Sequence, residues 1–141
     1  MKKKLFYILS FTWGLPMTLI GLISACVLFC IGYRPTRYGY CIHFTVGKNW
    51  GGLNLGIFIF TDEKTSEVTK AHEHGHALQN CLYGFLMPFI VAIPSAIRYW
   101  HREMKYYAKG KNPPTEYDSV WFEGQATKWG TNFINNIYPR L

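Results

Sequence analysis

The chain has 141 residues, enough for one domain with one modest hydrophobic core. Hydrophobic residues make up 49% of it and aromatic residues 18%, whereas only 16% are charged, which is low for a soluble domain. The net charge is +7, but the basic residues flank apolar runs, at positions 2–4 and 98–111, and do not form a nucleic-acid-binding arm. Composition therefore favours contact with anionic lipid over nucleic acid. The four cysteines form no C-x-x-C pair, which disfavours a thiolate zinc site.

The first predicted element is a transmembrane helix. Residues 5–32 carry no charge and are long enough to cross a bilayer, and the Gly-Leu-Pro at 14–16 is expected to kink the helix or end a short first piece. A signal peptide and a lipoprotein cleavage box are the alternatives, but the run is too long for a signal core and stays apolar after Cys26. We therefore expect an uncleaved anchor over residues 1–33 and a compact membrane-associated domain over residues 34–141.

A β-hairpin is predicted next. Side chains in residues 38–46 alternate with a period of two, which is typical of a strand. Residues 47–52 resemble a turn, and residues 53–60 are predicted to be the returning strand. Within that second strand Gly56 indicates a bulge or the close approach of another backbone.

A helix is predicted to begin after Thr65 or Ser66, either of which can cap it, and to continue through Cys81. Residues 82–97 are uncharged but short, and two prolines break them, so they could form a buried segment, a re-entrant element or a kinked span. Because a histidine motif before them and a glutamate after them can meet only if the chain returns to the same side, we expect a re-entrant or interfacial element.

A basic, aromatic connection then leads to a last predicted helix, capped by Asp118 or Ser119 and carrying Glu123 on its second turn. Together these elements predict an α+β membrane protein.

The sequence "TKAHEHGHALQN" at positions 69–80 contains H-E-x-x-H. His72 and His76 lie one helical turn apart, so both imidazoles can reach one zinc ion, and Glu73 can act as general base for an attacking water. His74 points away from that pair, because each residue turns the helix by about 100°. Gly75 costs helix propensity, which indicates that another element packs closely there.

A catalytic zinc site needs a third protein ligand. Glu123 is the preferred candidate, because it lies between aromatic residues on a helix, where an unpaired carboxylate is costly. A surface glutamate that pairs with Lys128 is the alternative interpretation. The other candidates are His43, His101, Glu103, Glu116 and Asp118.

The motif "HEHGHALQ", followed far downstream by "EGQAT", resembles the gluzincin class of zinc metallopeptidases, in particular its membrane-bound HtpX-like and CAAX-prenyl-protease-like branch. The resemblance implies His72, His76 and Glu123 as zinc ligands and Glu73 as general base, with Ala126 packing beneath the site. The chain departs from that pattern at Thr127, where the family has an aspartate that orients a zinc-bound histidine. That role must then pass to Thr127, to Asp118 or to another group.

The chain is also similar to small bacterial membrane proteins with an H-E-x-G-H-x-x-Q helix and a later "IPS" segment, which implies a bacterial cell membrane as its location. In gluzincins an edge strand before the active helix holds an extended peptide, and residues 51–60 are placed to do so here. The basic residues at 2–4 favour a cytoplasmic N-terminus, which would place the site on the outer side of the membrane. Those at 98–111 favour the cytoplasmic side for the rest of the chain, so the side of the site stays open.

These features predict a membrane-embedded zinc peptidase that acts on a peptide or protein substrate, in contact with the lipid bilayer and not with nucleic acid. The alternative is a non-catalytic membrane protein stabilised by zinc, of the immunity or adaptor type. A membrane-surface protein without metal is a third hypothesis. An oxyanion donor is also needed, and the candidates, none of which the sequence singles out, are Arg98, His101, Tyr106, Tyr107 and Tyr117.

Overall fold

The structure is a computed structural model that describes residues 1–139. Five α-helices and a four-stranded sheet confirm the predicted α+β class. The helices are α1 (Lys3–Phe11), α2 (Leu15–Cys30), α3 (Glu67–Tyr83), α4 (Ile93–Lys105) and α5 (Trp121–Ile137). The strands are β1 (Thr36–Tyr38), β2 (Cys41–Thr45), β3 (Gly52–Leu55) and β4 (Phe58–Thr61).

The N-terminal apolar run forms two helices and not one straight span. The break falls where predicted, at Gly14, whose carbonyl accepts a 3.1 Å hydrogen bond from the Asn80 side chain. Helix α2 begins at the next residue, and Pro16 lies in its first turn. Within residues 1–139 no one helix has both the length and the apolar composition to cross a membrane. Two bent pairs of helices reach that length and composition together. These are residues 3–11 with 15–30, bent by 91°, and residues 67–86 with 88–109, bent by 117°.

The predicted hairpin between residues 38–46 and 53–60 is wrong. The chain turns at Gly39 (φ +58°), at the start of the first stretch, and at Gly56 (φ +65°), in the middle of the second, so β1–β2 and β3–β4 are two separate antiparallel pairs. Strands β2 and β4 run parallel at the centre of the sheet, whose order is β1-β2-β4-β3. Gly56 does mark a close approach, because a Cβ there would collide with Thr18 of α2.

Helix α3 begins as predicted, with the Ser66 hydroxyl accepting a 3.2 Å hydrogen bond from the Thr69 N–H. The predicted cap of the last helix is wrong. Residues 117–119 form a 3₁₀ turn, α5 starts at Trp121 without a side-chain cap, and Glu123 lies on its first turn.

After α3 the chain passes through a 3₁₀ turn (Gly84–Leu86) and a π-helical turn (Pro88–Ala92) into α4, which continues through the predicted basic connection as far as Lys105. This bend returns the chain toward α3 and allows the two predicted motifs to meet.

One buried cluster joins the N-terminal helices to the sheet and to α3. It includes Phe6 of α1, Ala25 of α2, Ile59 of β4 and Ala77 of α3. The predicted division into residues 1–33 and 34–141 stays a prediction, and residues 140–141 lie outside the described residues.

The loop between the sheet and α3 is organised by Asp62. Its carboxylate accepts hydrogen bonds from the backbone N–H groups of Trp50 (2.9 Å), Gly51 (2.9 Å) and Lys64 (2.8 Å), and from the Thr65 hydroxyl (2.8 Å). These bonds, those of Gly51 and Thr65 above all, lower the pKa of Asp62 to about 2. The start of β3 is thereby tied to the start of α3.

We expect Asp62→Asn to destabilise the protein at neutral pH and to have progressively less effect in acid. The pKa of Asp62 is about 2 in the folded chain and about 3.9 in an unfolded one, so its contribution is complete above the unfolded value and is lost as the pH falls toward 2. Thermal unfolding followed by circular dichroism at several pH values checks this. Glu63→Gln, which removes an exposed carboxylate paired with Lys48, is the control. Parallel pH profiles for Asp62→Asn and wild type would contradict it.

Candidate metal centre

Three predicted ligands converge at one point between α3 and α5. His72 and His76 lie one turn apart on α3, with their Nε2 atoms 3.0 Å apart. Oε2 of Glu123 on α5 lies 3.1 Å from Nε2 of His72 and 3.3 Å from Nε2 of His76. These three residues form a group that could hold a metal ion, and we call it the metal group.

The close contact of two helix backbones makes this convergence possible. A Cβ on Gly75 would collide with the backbone carbonyl of Ala126, and a Cβ on Gly130 would collide with that of Ala71. Both positions therefore need glycine. The close packing that the sequence predicted at Gly75 is confirmed.

The donor set fits zinc. Bonds of about 2.0–2.2 Å in a tetrahedral site place neighbouring ligand atoms about 3.3 Å apart. The Glu123 side chain is 0% exposed, and neither of its oxygens has a hydrogen-bond partner of good geometry. Burial opposes the ionisation of Glu123, but the adjacent His76 and His72 outweigh it and hold the pKa of this carboxyl well below its usual range. A buried carboxylate that faces two imidazole nitrogens is stabilised by positive charge, which a bound metal ion would supply.

The outer nitrogens of both histidines are held by polar side chains. Nδ1 of His76 lies 2.7 Å from Oε1 of Gln79, and the Gln79 amide nitrogen donates to the Phe122 carbonyl (2.8 Å). Because Oε1 only accepts, Nδ1 of His76 carries the proton and its Nε2 lone pair faces the metal group. Sequence reasoning assigned Gln79 no role, although its position three residues after His76 places both on one helix face.

Thr127 occupies the position at which the resemblance predicts an aspartate. Its hydroxyl lies 2.7 Å from Nδ1 of His72, so it can accept the Nδ1 proton and orient the ring. Asp118 lines the cavity next to His72 and His76 but is exposed, and no hydrogen bond joins it to either histidine within residues 1–139. The structure therefore brings Thr127, and not Asp118, against a candidate ligand.

Glu73 is buried beside the three ligands and lines the same cavity. A Cβ on Gly52 of β3 would lie 2.7 Å from Oε1 of Glu73, so the edge strand passes directly over this carboxyl. Burial raises the pKa of Glu73, and the charges of His76 and His72 only partly oppose the increase. A carboxyl of raised pKa at the rim of a metal group is suited to accepting and returning a proton.

The other histidines and acids lie apart from this group. His74 points away as predicted: its Nε2 accepts the Tyr40 N–H at 3.2 Å, and its ring stacks on that of Phe133 at 4.7 Å. Burial lowers the pKa of His74 to about 4, so the ring is neutral. His43 is buried in β2, with Nε2 2.8 Å from the Thr61 hydroxyl. The remaining candidates lie outside the metal group, namely His101, Glu103 and Glu116.

Two of the candidate ligands, His72 and His76, line a cavity of about 730 Å³. Its walls are residues 50–55 of the sheet edge, α3, α4 and Tyr117, whose ring lies 6.2 Å from that of His72. Burial and the nearby Glu123 raise the pKa of Tyr117 far above its usual value, so its hydroxyl keeps its proton. Tyr107 also lines this cavity, whereas Arg98, Tyr106 and His101 do not. Tyr117 is the candidate oxyanion donor whose ring lies beside that of His72.

No protein-family model, curated protein or solved structure matches the chain. The resemblance to gluzincins therefore stays a prediction that depends on the two motifs.

We expect the purified protein to hold about one zinc ion per chain, and His76→Ala and Glu123→Ala to lose most of it, because each removes one of three ligands. Thr127→Ala should weaken zinc binding by roughly 10- to 100-fold, since it frees the His72 ring. Elemental mass spectrometry gives the stoichiometry, and competition with a chelator gives the affinity. His101→Ala, which removes an exposed histidine, is the control. Equal zinc in His76→Ala and wild type would refute a shared site.

Proposed function

We propose that this protein is a membrane-associated zinc peptidase. The observation that carries the proposal is the convergence of His72, His76 and Glu123 beside the buried carboxyl of Glu73, at the end of a cavity large enough for a short peptide. Zinc, when bound by these residues, supplies Lewis-acid polarisation of a substrate carbonyl. The chain itself supplies the proton transfers and the positioning.

Glu73 is the general base of the proposed reaction. Its carboxylate takes a proton from the attacking water and returns it to the amine that leaves, and its raised pKa favours the first transfer. The phenol of Tyr117 keeps its proton and lies next to His72, so it is the proposed hydrogen-bond donor to the developing oxyanion.

The edge of the sheet supports a peptide as substrate. Strand β3 pairs with β4 on one side only, and residues 50–55 line the cavity. An extended peptide can pair with the free edge of β3 and place a peptide bond next to Glu73, because Gly52 leaves no side chain in between.

Two exposed apolar stripes support attachment to a membrane. On α4, Ile93, Ile97 and Met104 follow helical spacing on the outer face, and Met104 is 69% exposed. On α2 an exposed stripe contains Ile20, Ile23 and Val27. Large exposed apolar faces beside basic residues match a bilayer surface that contains anionic lipid.

We expect Glu73→Gln to keep zinc and fold but to lose peptide hydrolysis by at least about 100-fold, because the amide cannot accept a proton. Hydrolysis of a mixed peptide library, followed by mass spectrometry of the products, measures this. Glu67→Gln, an exposed glutamate on the first turn of α3, is the matched control.

Zinc binding without hydrolysis by wild type would instead support the zinc-stabilised, non-catalytic alternative. Equal hydrolysis by wild type and Glu73→Gln would show that Glu73 is not the base.

We expect the outer face of α4 to enter the lipid. A fluorophore sensitive to polarity on Met104→Cys, in a chain whose exposed Cys26 and Cys30 are replaced by alanine, should shift to shorter wavelength when vesicles of phosphatidylcholine and phosphatidylglycerol are added. The same label on Lys64→Cys, at an exposed loop, should not shift. No shift at either position would contradict membrane contact by α4, and a vesicle-independent shift at Met104→Cys would indicate self-association.

A further inference from the structure

Helix α4 also has an inner face, and this face lines the metal cavity. Ser95, Tyr99 and Arg102 are spaced by four and three residues, so they share one side of the helix, and all three line the cavity. The apolar stripe of α4 lies on other positions of the same helix. The inner face therefore places a cation, Arg102, in the cavity that contains the metal group.

Within residues 1–139, Arg102 is a buried cation without an anionic partner. Its side chain is 6% exposed, Nη1 donates to the Thr115 carbonyl at 2.9 Å, and Nη2 lies 3.5 Å from the Tyr107 hydroxyl. Nε has no hydrogen-bond partner. Among the residues described, 1–139, no carboxylate lies within 4.0 Å of this guanidinium.

Arg98, one turn earlier, shows what a structural arginine does here. Its guanidinium donates to the carbonyls of Glu116 (2.9 Å) and Tyr117 (3.0 Å) and to the Ser119 hydroxyl (3.0 Å). Through these bonds Arg98 holds the loop before α5. Arg102 lies over the same Tyr117 ring but makes only one short hydrogen bond within residues 1–139. Holding the loop therefore does not account for a buried positive charge at this position.

A guanidinium stays protonated, and a buried charge without a partner is destabilising. An anion that enters the cavity would pair with Arg102, and a carboxylate matches the planar geometry of the guanidinium. The acids of the cavity do not supply this pairing: Glu73 lies beside the metal group, and Asp118 is exposed and makes no salt bridge within the described chain.

The distance between Arg102 and the metal group fits one short peptide. The Tyr117 ring lies 5.5 Å from Cζ of Arg102 and 6.2 Å from the His72 ring. The two groups therefore lie within about 12 Å of each other, a span of roughly three extended residues.

We propose that Arg102 binds a carboxylate of the substrate, and that this selects peptides with an anionic group within about three residues of the cleaved bond. This proposal deepens the proposed peptidase function and depends on it for the reaction, although not for binding. The carboxylate is either the C-terminus of a short peptide or an acidic side chain.

The direct test observes Arg102 by NMR. Its ¹⁵Nε–¹H signal is identified as the one missing from Arg102→Lys, and Glu73→Gln protein keeps the peptides intact. The probes are N-acetyl-Ala-Phe-Leu, the C-terminal amide of that peptide, and N-acetyl-Ala-Phe-Glu with an amidated C-terminus. We expect the signal to shift with an acid and not with the neutral amide. A shift with the first peptide alone identifies the C-terminus, and a shift with the third identifies an acidic side chain.

No shift with either acid at roughly 10 mM, above the dissociation constants of weak ligands, would overturn the proposal. The titration is repeated with wild type without added zinc, so the result does not require a functional peptidase. A shift of the Arg102 signal, with no hydrolysis by the zinc-loaded wild type, would support carboxylate binding at Arg102 and would reject only the peptidase function.

Kinetics supply the second test. Arg102→Met should raise the KM for the preferred acidic peptide by roughly 30-fold or more, with little change in kcat, and should leave the KM of the neutral amide unchanged. Arg102→Lys should restore part of the discrimination, because it keeps the charge but not the planar fork. Arg98→Met is the matched control and should not change the ratio of the two KM values. An equal loss for acid and amide would assign Arg102 a purely structural role.

Discussion

The contact between the backbones of α3 and α5 is the constraint on which the site depends. Gly75 and Gly130 each face a carbonyl of the other helix at a separation that no side chain allows. Only at that separation can Glu123 reach His72 and His76 within 3.3 Å. The glycines cost helix propensity, roughly 1 kcal/mol each relative to alanine, and the close packing of the two helices offsets that cost.

Burial then determines what the converged residues can do. The carboxyls of Glu73 and Glu123 are both buried, so they would repel each other if both were ionised. A bound cation beside the two imidazoles would offset this repulsion. Gln79 and Thr127 hold the outer nitrogens of the two histidines, so the inner lone pairs face one point. Thr127 offers a neutral hydroxyl where an aspartate would offer a charge, which makes the His72 ring a weaker donor to the metal.

Local sequence patterns predicted the local features. Helical spacing identified the ligand pair on α3, the Ser66 cap marked its start, and an acid between aromatic residues identified Glu123. Strand pairing was mispredicted because a period of two shows which residues alternate but not which strand lies beside which. Gly39 turns the chain at the start of one predicted strand, and Gly56 divides the other. Arg102 was missed because a sequence of basic and aromatic residues does not show which cation turns inward.

The two faces of α4 connect the proposed membrane contact of the protein to its proposed substrate. Lipid against the outer stripe would keep this helix over the cavity, since peeling it away would expose both the stripe and Arg102 to water. A peptide held by its carboxylate at Arg102 and by its backbone along β3 has little freedom to slide. The bond at the metal then lies a few residues from the anchored carboxylate. If that carboxylate is the C-terminus, the geometry favours removal of short C-terminal pieces over cleavage in the middle of a long chain.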